Sequence, residues 1–145
     1  MKNIKYFALL VAFLLPLCAY TQSQSNNRAQ EGDQVWLIIN HVKADSKQGF
    51  EKFMEEVFIK VLTTSRTPQM AEQYQKTRWL TPAQQNENGT WTYAFIMDPV
   101  VANANYEIEK LFLEQFSPEK SAELLRQYES YIAKSEFHVL IQSKH

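Results

Sequence analysis

Seven side chains of this sequence have the chemistry to contact a small molecule. An amide in the middle of an apolar stretch is costly to bury without hydrogen bonds, so Asn40 is expected to bind a ligand or to satisfy backbone groups. The imidazoles of His41 and His138 change charge near neutral pH. The candidate ligand-binding residues are Asn40, His41, Arg78, Trp79, Trp91, Tyr93 and His138. No motif in the sequence identifies a reaction, so no catalytic residue is assigned.

Each candidate also has a purely structural interpretation. A single histidine near the end of a strand is more often a partly exposed polar residue than an acid or base. Trp79, Trp91 and Tyr93 fit a hydrophobic core or a dimer contact at least as well as a ligand-stacking surface. His41 and His138, with no cysteine in the mature chain and no ligand-like spacing, predict no metal site.

The first structural element places Asn40 and His41 on a buried strand. Residues Val35–Val42 are apolar on both alternating faces apart from these two, which is typical of a strand covered on both sides. After Asp45, the predicted N-cap, the period changes to 3.6 and predicts an amphipathic helix that continues to Leu62. Its apolar stripe contains Phe50, Phe53, Met54, Val57, Phe58, Val61 and Leu62.

The rest of the chain predicts three more strands and a second, broken helix. Thr67-Pro68 is typical of a helical N-terminus, and Asn88-Gly89 is typical of a hairpin turn. The second helix runs from Tyr106 and restarts at Ser117-Pro118. The predicted strands are Tyr74–Thr81, Thr90–Met97 and Phe137–Gln142.

The order β-α-β-β-α-β predicts an α+β, ferredoxin-like fold with the antiparallel strand order 4-1-3-2 and both helices on one face. This order would bring Asn40, His41, Arg78 and His138 together at one end of the sheet. The other sheet face, expected to carry Trp91 with Tyr93, Phe95 and Met97, is too apolar for water. We therefore expect a homodimer that closes an α/β barrel.

The N-terminus predicts export to the periplasm or the medium. Lys2 and Lys5 precede the apolar run 6–19, which is short for a membrane span, and cleavage after Thr21 fits the small-residue rule. Lipid attachment at Cys18 and an uncleaved anchor remain alternatives. The expected organisation is a signal peptide (1–21), a flexible leader (22–33) and one domain (34–145), with no membrane span after cleavage.

Charge and cysteine content exclude several classes of function for the mature chain. Cleavage removes two lysines and no acidic residue, which moves the formal charge from −1 to −3. A mildly acidic domain is not expected to bind nucleic acid. Cys18 is the single cysteine, so the mature chain has neither a disulfide nor a thiol nucleophile.

The element order, the INHVKAD junction between strand and helix, and the broken second helix resemble the dimeric α/β-barrel superfamily, which includes antibiotic-biosynthesis monooxygenases and haem-degrading enzymes. The resemblance covers residues 34–144 and is topological. Within the haem-degrading branch it implies an asparagine, a tryptophan and a histidine at the site. Only Asn40 matches, so haem is not expected and no cofactor is predicted.

These observations favour an exported dimeric barrel that binds an apolar or aromatic small molecule, with cofactor-independent monooxygenase activity as an open question. The alternative is a non-catalytic binding or assembly domain whose cavity is only the dimer core. An enclosed cavity bordered by Asn40 or His138 would favour the first interpretation, and a sheet face filled by Trp91, Tyr93 and Phe95 would favour the second.

Overall fold

The computed structural model describes residues 28–64 and 67–144. The predicted signal peptide, its cleavage site and Cys18 lie outside the described residues, as do positions 22–27 of the predicted leader. The end of that leader is packed on the domain: Ala29 N donates to Asp98 Oδ1 at 2.8 Å, and Gly32 N donates to Gln142 O at 3.0 Å. The ordered chain therefore begins before Gln34.

Four antiparallel strands form one sheet in the order β2-β3-β1-β4, which confirms the predicted 4-1-3-2 arrangement and the ferredoxin-like α+β fold. The first strand lies at the centre, between β3 and β4. The strands are β1 (Gln34–Val42), β2 (Thr77–Leu80), β3 (Trp91–Met97) and β4 (Ile132–Ile141).

The first helix is continuous but contains one π-helical turn, Met54–Phe58, between α1 and α2. The predicted caps are confirmed at two later helices, because Thr67 accepts from Met70 N and Ser117 accepts from Lys120 N, each at 3.3 Å. The α-helices are α1 (Lys47–Phe53), α2 (Ile59–Thr64), α3 (Pro68–Lys76), α4 (Ile108–Leu113) and α5 (Pro118–Tyr131).

Three local predictions were wrong. Asp45 accepts from the Ser46 hydroxyl and does not cap α1, whose N-cap is Ser46. The helix that Thr67 caps continues to Lys76, into the predicted strand Tyr74–Thr81, so only Thr77–Leu80 of that strand joins the sheet. Residues 81–90 make a long connection instead of a two-residue hairpin, and within the Asn88-Gly89 pair only Gly89 has a positive φ, 80°.

The assignment of the two sheet faces is also corrected. Tyr93 pairs with Asn40, and Phe95 pairs with Ile38, on the face that the helices cover. Trp91 and Met97 share that parity, so none of these four side chains lies on the uncovered face. The bulky residues of β3 fill the space under the helices, and the small ones, such as Ala94, point away.

We call the uncovered side the open face. Along each strand, the apolar side chains of the open face alternate with the residues that the helices cover. None of these open-face side chains is buried in the single chain. They are Val35, Leu37, Ile39, Leu80, Ala94, Ile96 and Leu140.

Candidate functional site

A cleft lies between the helices and the β2–β3–β1 part of the sheet. Its inner cavity has a volume of about 50 Å³, and its outer groove, towards the β2 edge, has about 310 Å³. One enclosed water requires roughly 10–15 Å³, so the inner cavity holds several waters or a small apolar group. Five side chains line both volumes: Met54, Phe58, Leu62, Thr77 and Phe95.

The π-helical turn supplies the wall that the two volumes share. Met54 and Phe58 are its first and last residues, and the amide of Ile59 bonds to Met54 O, one residue farther back than in an α-helix. Single π turns occur frequently at functional sites, because the extra residue widens the helix and redirects its side chains. The helix therefore departs from regular geometry at the point where it faces the cleft.

Aromatic rings form the sheet side of the outer groove. The Trp79 ring stacks on Phe95 with centroids 6.4 Å apart and planes 2° apart, and on Tyr93 at 6.1 Å and 23°. Phe58 meets Phe95 edge-on at 6.1 Å. Trp79 Nε1 is buried without a hydrogen-bond partner among the described residues. The wall is thus flat, apolar and suited to ring or chain contacts.

Neutral hydrogen-bonding groups lie in the inner cavity. Gln73 is 3% exposed, and its Nε2 donates to Asn105 O at 2.6 Å. The Tyr106 hydroxyl accepts from Val101 N at 3.0 Å. The Tyr128 hydroxyl accepts from Asn40 Nδ2 at 2.7 Å, which leaves its own proton available to donate.

Both cavity tyrosines are held as neutral phenols. Burial raises the pKa of Tyr128 to about 12, although the hydrogen bond from Asn40 opposes this shift. Burial also raises the pKa of Tyr106, and its bond from the Val101 amide opposes the rise. At neutral pH these groups are hydrogen-bond donors, not bases. Among the described residues that line the cavity and the groove there is no carboxylate, amine, guanidinium or imidazole.

Asn40 is completely buried on the helix-covered face, but it does not line the cavity. Its Nδ2 donates to Tyr128, and its Oδ1 accepts from Ser135 Oγ at 2.7 Å. The amide is therefore satisfied by two side chains, and not by backbone as one alternative supposed. It orients Tyr128, which does line the cavity.

His41, Arg78 and His138 all lie on the open face, on the opposite side of the sheet from the cleft. The predicted convergence at one end was wrong for two of them: Arg78 pairs with Ile96 in β3, and His138 pairs with Leu37. His138 lies farther along the sheet than expected because β4 begins at Ile132 instead of at residue 137.

Polar partners surround these open-face residues. Glu136 Oε1 lies 3.2 Å from His41 Nε2, and its Oε2 lies 3.7 Å from His138 Nε2. The hydrogen bonds from Lys134 and His41 lower the pKa of the Glu136 carboxyl. Arg78 pairs with Asp98 at 2.6 Å.

The two remaining aromatic candidates belong to the helix-covered face without lining the cleft. Tyr93 is fully buried and donates to Glu51 Oε1 at 2.8 Å, and burial raises its pKa. Trp91 lies at the start of β3, where its Nε1 donates to Ala44 O at 3.2 Å and Lys47 lies over its ring. Of the seven candidates, Trp79 alone lines the cleft.

Sequence reasoning assigned several other cleft residues to the core. Met54, Phe58 and Leu62 were part of the apolar stripe of the first helix, and Tyr106 and Tyr128 were part of the apolar stripe predicted for the second. Tyr106 and Tyr128 carried a usable signal, because a tyrosine in a buried stripe needs a partner for its hydroxyl. Nothing in the sequence predicts the π turn.

Within the described ranges, no group of three or more histidine, cysteine, aspartate or glutamate side chains is arranged to hold a metal ion. The helices described also include none that is long and apolar enough to cross a membrane.

The fold and the cleft together define a ferredoxin-like α+β domain with an apolar pocket under its helices. A Caulobacter crescentus protein described as a candidate antibiotic biosynthesis monooxygenase is similar in structure, with a TM-score of 0.43 and 9% sequence identity. The alignment covers 79% of this chain and 92% of that protein. No protein-family profile matches the sequence, and no curated protein matches it significantly.

Proposed function

We propose that this protein binds a neutral apolar or aromatic small molecule in the cleft. The observation that carries the proposal is the lining itself. It combines aromatic and aliphatic walls with four neutral polar side chains in the inner cavity, and its described residues include no ionic group. The outer groove, at about 310 Å³, has the size of an ordinary small-molecule site. A charged ligand would lose its hydration there without gaining a counter-ion.

The cleft supports binding more directly than catalysis. A ring that lies against Trp79 and Phe58 gains apolar burial. An oxygen of that ligand that reaches the inner cavity would accept a hydrogen bond from the Tyr128 hydroxyl. Abstraction of a proton needs a base of suitable pKa, and the lining offers none. Cofactor-independent oxygenation in this cleft would therefore require a substrate that ionises unaided.

We further propose that the open face forms a homodimer. Seven apolar side chains on one uncovered sheet face support this, because a patch of that kind is unfavourable in water. Isologous pairing covers the same patch on both copies. In this arrangement the dimer contact and the cleft lie on opposite sides of the sheet, so the cleft is not the dimer core.

We also propose that the protein is exported, on the basis of the positive residues and the apolar run before Thr21. Mass determination of the protein recovered from the periplasm or medium would test this. A mature N-terminus at Gln22 is the expected result, whereas full-length protein retained in the cytoplasm would contradict the proposal.

Ligand binding is tested by blocking the cleft. Leu62 is 7% exposed and lines both volumes, so Leu62→Trp should fill them and weaken binding of 2-naphthol or menadione at least tenfold in calorimetry. The matched control is Leu113→Trp, at a leucine that is 44% exposed and lines neither volume. Equal affinities in the two variants, or no binding of either probe to the wild type, would refute the proposal.

The dimer is tested by a charge at the centre of the open face. Ile39→Asp should raise the dimer Kd by a factor of a hundred or more, roughly, because a carboxylate would be buried against its own copy. Sedimentation equilibrium measures the change, with Leu113→Asp as the control. A wild-type chain that is monomeric at high concentration would refute this part of the proposal alone.

A further inference from the structure

A third apolar volume lies next to the cleft, on the same face of the sheet. We call it the far groove: it lies at the β4 edge, has a volume of about 430 Å³, and its lining includes Trp36, Ile38, Ala104, Tyr106, Ser135 and Phe137. Phe137 is 54% exposed there, and its ring meets Trp36 edge-on at 5.2 Å. The ligand site proposed above the β2–β3–β1 part of the sheet does not include this groove.

One row of cross-strand partners forms the floor of all three volumes. Trp79 pairs with Phe95, Phe95 pairs with Ile38, and Ile38 pairs with Phe137. Trp79 and Phe95 lie in the outer groove, Phe95 and Ile38 in the inner cavity, and Ile38 and Phe137 in the far groove. Neighbouring strands are about 4.8 Å apart, so this floor is about 14 Å long.

The boundaries between neighbouring volumes are side chains that both volumes share. Phe95 and Met54 belong to the outer groove and the inner cavity, and Ile38 and Tyr106 belong to the inner cavity and the far groove. Met54 is an adaptable side chain with three rotatable bonds, and it is the first residue of the π turn. A change of the Met54 rotamer would join the outer groove to the inner cavity, and a change of the Tyr106 rotamer would join the inner cavity to the far groove.

We propose that the outer groove, inner cavity and far groove form one channel for an unbranched apolar chain, such as the alkyl or acyl chain of a lipid-like molecule. This inference rests on the proposed function and narrows its ligand class. The channel is about 14 Å long, and the inner cavity, at about 50 Å³, is the smallest of its three volumes. A methylene chain can pass such a constriction, whereas a fused ring system stays in the outer groove.

The charges around the channel agree with a neutral chain. Among the described residues, Glu107 is the single ionic one that lines any of the three volumes. Its side chain is 67% exposed in the far groove, and its carboxylate pairs with Lys110 at 2.6 Å. The polar head of the ligand stays at the mouth of the outer groove, beside Gln75 and Thr77.

The test is a series of primary alcohols from hexanol to tetradecanol, titrated into the full protein by calorimetry. Each buried methylene should tighten binding roughly fourfold until the chain reaches the end of the far groove. Ala104→Phe fills that groove and should stop the gain at a shorter chain length. Ala102→Phe adds the same ring at an exposed position of the same loop and should leave the series unchanged.

A second measurement does not depend on a variant that fills the groove. Protein labelled with 5-fluorotryptophan gives one fluorine resonance for each of its three tryptophans. Short alcohols should shift the signal of Trp79, long alcohols should shift those of Trp79 and Trp36, and Trp91, outside the channel, should stay unchanged.

The outcomes separate this inference from the proposed function. If hexanol and 2-naphthol bind but longer alcohols bind no more tightly and leave Trp36 unshifted, the channel is refuted and the cleft stands. If neither hexanol nor 2-naphthol binds, both fail. If the chain-length limit is the same in Ala104→Phe and the wild type, the far groove is not the end of the channel.

Discussion

Replacing Tyr128 by phenylalanine tests whether the buried amide of Asn40 depends on one hydroxyl. Asn40 is 0% exposed, and its Nδ2 donates to Tyr128 at 2.7 Å. The Tyr128→Phe variant leaves this N–H group without its partner in an apolar layer. An unsatisfied buried donor costs about 1–3 kcal/mol, and a water admitted to the adjoining cavity would hold the loss near the lower end of that range.

Urea denaturation at a fixed protein concentration measures this loss. With a slope of about 2 kcal/mol per M, the midpoint should fall by about 0.5–1.5 M with the slope unchanged. The matched control is Tyr131→Phe: the ring of Tyr131 also packs on Phe50, but its hydroxyl accepts from Gln127 Nε2 at 3.0 Å in an exposed hydrogen bond. That variant should lose less than about 0.5 kcal/mol.

A second substitution separates a lost contact from an unpaired amide. Adding Asn40→Leu to Tyr128→Phe removes the orphaned N–H group, so part of the lost stability should return, because replacing both partners by apolar groups is nearly neutral. The Ser135 hydroxyl, which loses Asn40 Oδ1 in this variant, belongs to an exposed residue and can bond to water instead. If Tyr128→Phe costs no more than Tyr131→Phe, or if the double variant is less stable than Tyr128→Phe alone, the explanation of Asn40 given above is wrong.

Two further predictions concern pH and packing. Burial raises the pKa of Tyr106, and it raises the pKa of Tyr128 to about 12, against about 10 for a tyrosine in an unfolded chain. The free energy of unfolding should therefore stay constant below pH 10 and decline as the pH rises towards 12. Phenolate absorbance should show tyrosines of the folded protein that ionise late, and a titration without such late tyrosines would contradict their burial. Gly49→Leu should cost about 1–3 kcal/mol in thermal unfolding, since a Cβ there would lie 2.9 Å from the Tyr131 ring; a neutral result would contradict that close approach.

The fold was predictable because hydrophobic periodicity and capping residues specify it locally. The alternation of Val35–Val42, the stripe that begins at Phe50 and the two Xaa-Pro helix starts are enough to give the element order, and the rules for strand connections then give the sheet order. The boundary near Tyr74 was missed because alternation is short and weak there. The cap at Thr67 and the pair between Lys76 and Glu72 extend a helix through it.

The face assignment could not be read from composition alone. Trp91, Tyr93, Phe95 and Met97 were expected on the uncovered face, yet the structure places them on the face under the helices, with Thr92, Ala94 and Ile96 on the open face. Larger side chains bury more apolar area, and that term decides which face is covered. The cleft was missed for a related reason. Met54 and Phe58 have the spacing of core residues, and the π turn, which the spacing does not reveal, is what makes these two side chains line a cavity.

Adjacent residues of β1 should report on different functions, because successive side chains of a strand point to opposite faces. Ile38 lies on the floor of the channel, and Ile39 lies on the open face. If the proposals for the two faces are right, a bulky change at Ile38 alters ligand affinity at constant dimer Kd, and a charge at Ile39 alters the dimer Kd at constant ligand affinity. If Ile39→Asp abolishes both while the monomer stays folded, the partner copy contributes to the ligand site, and the two faces of the sheet act as one.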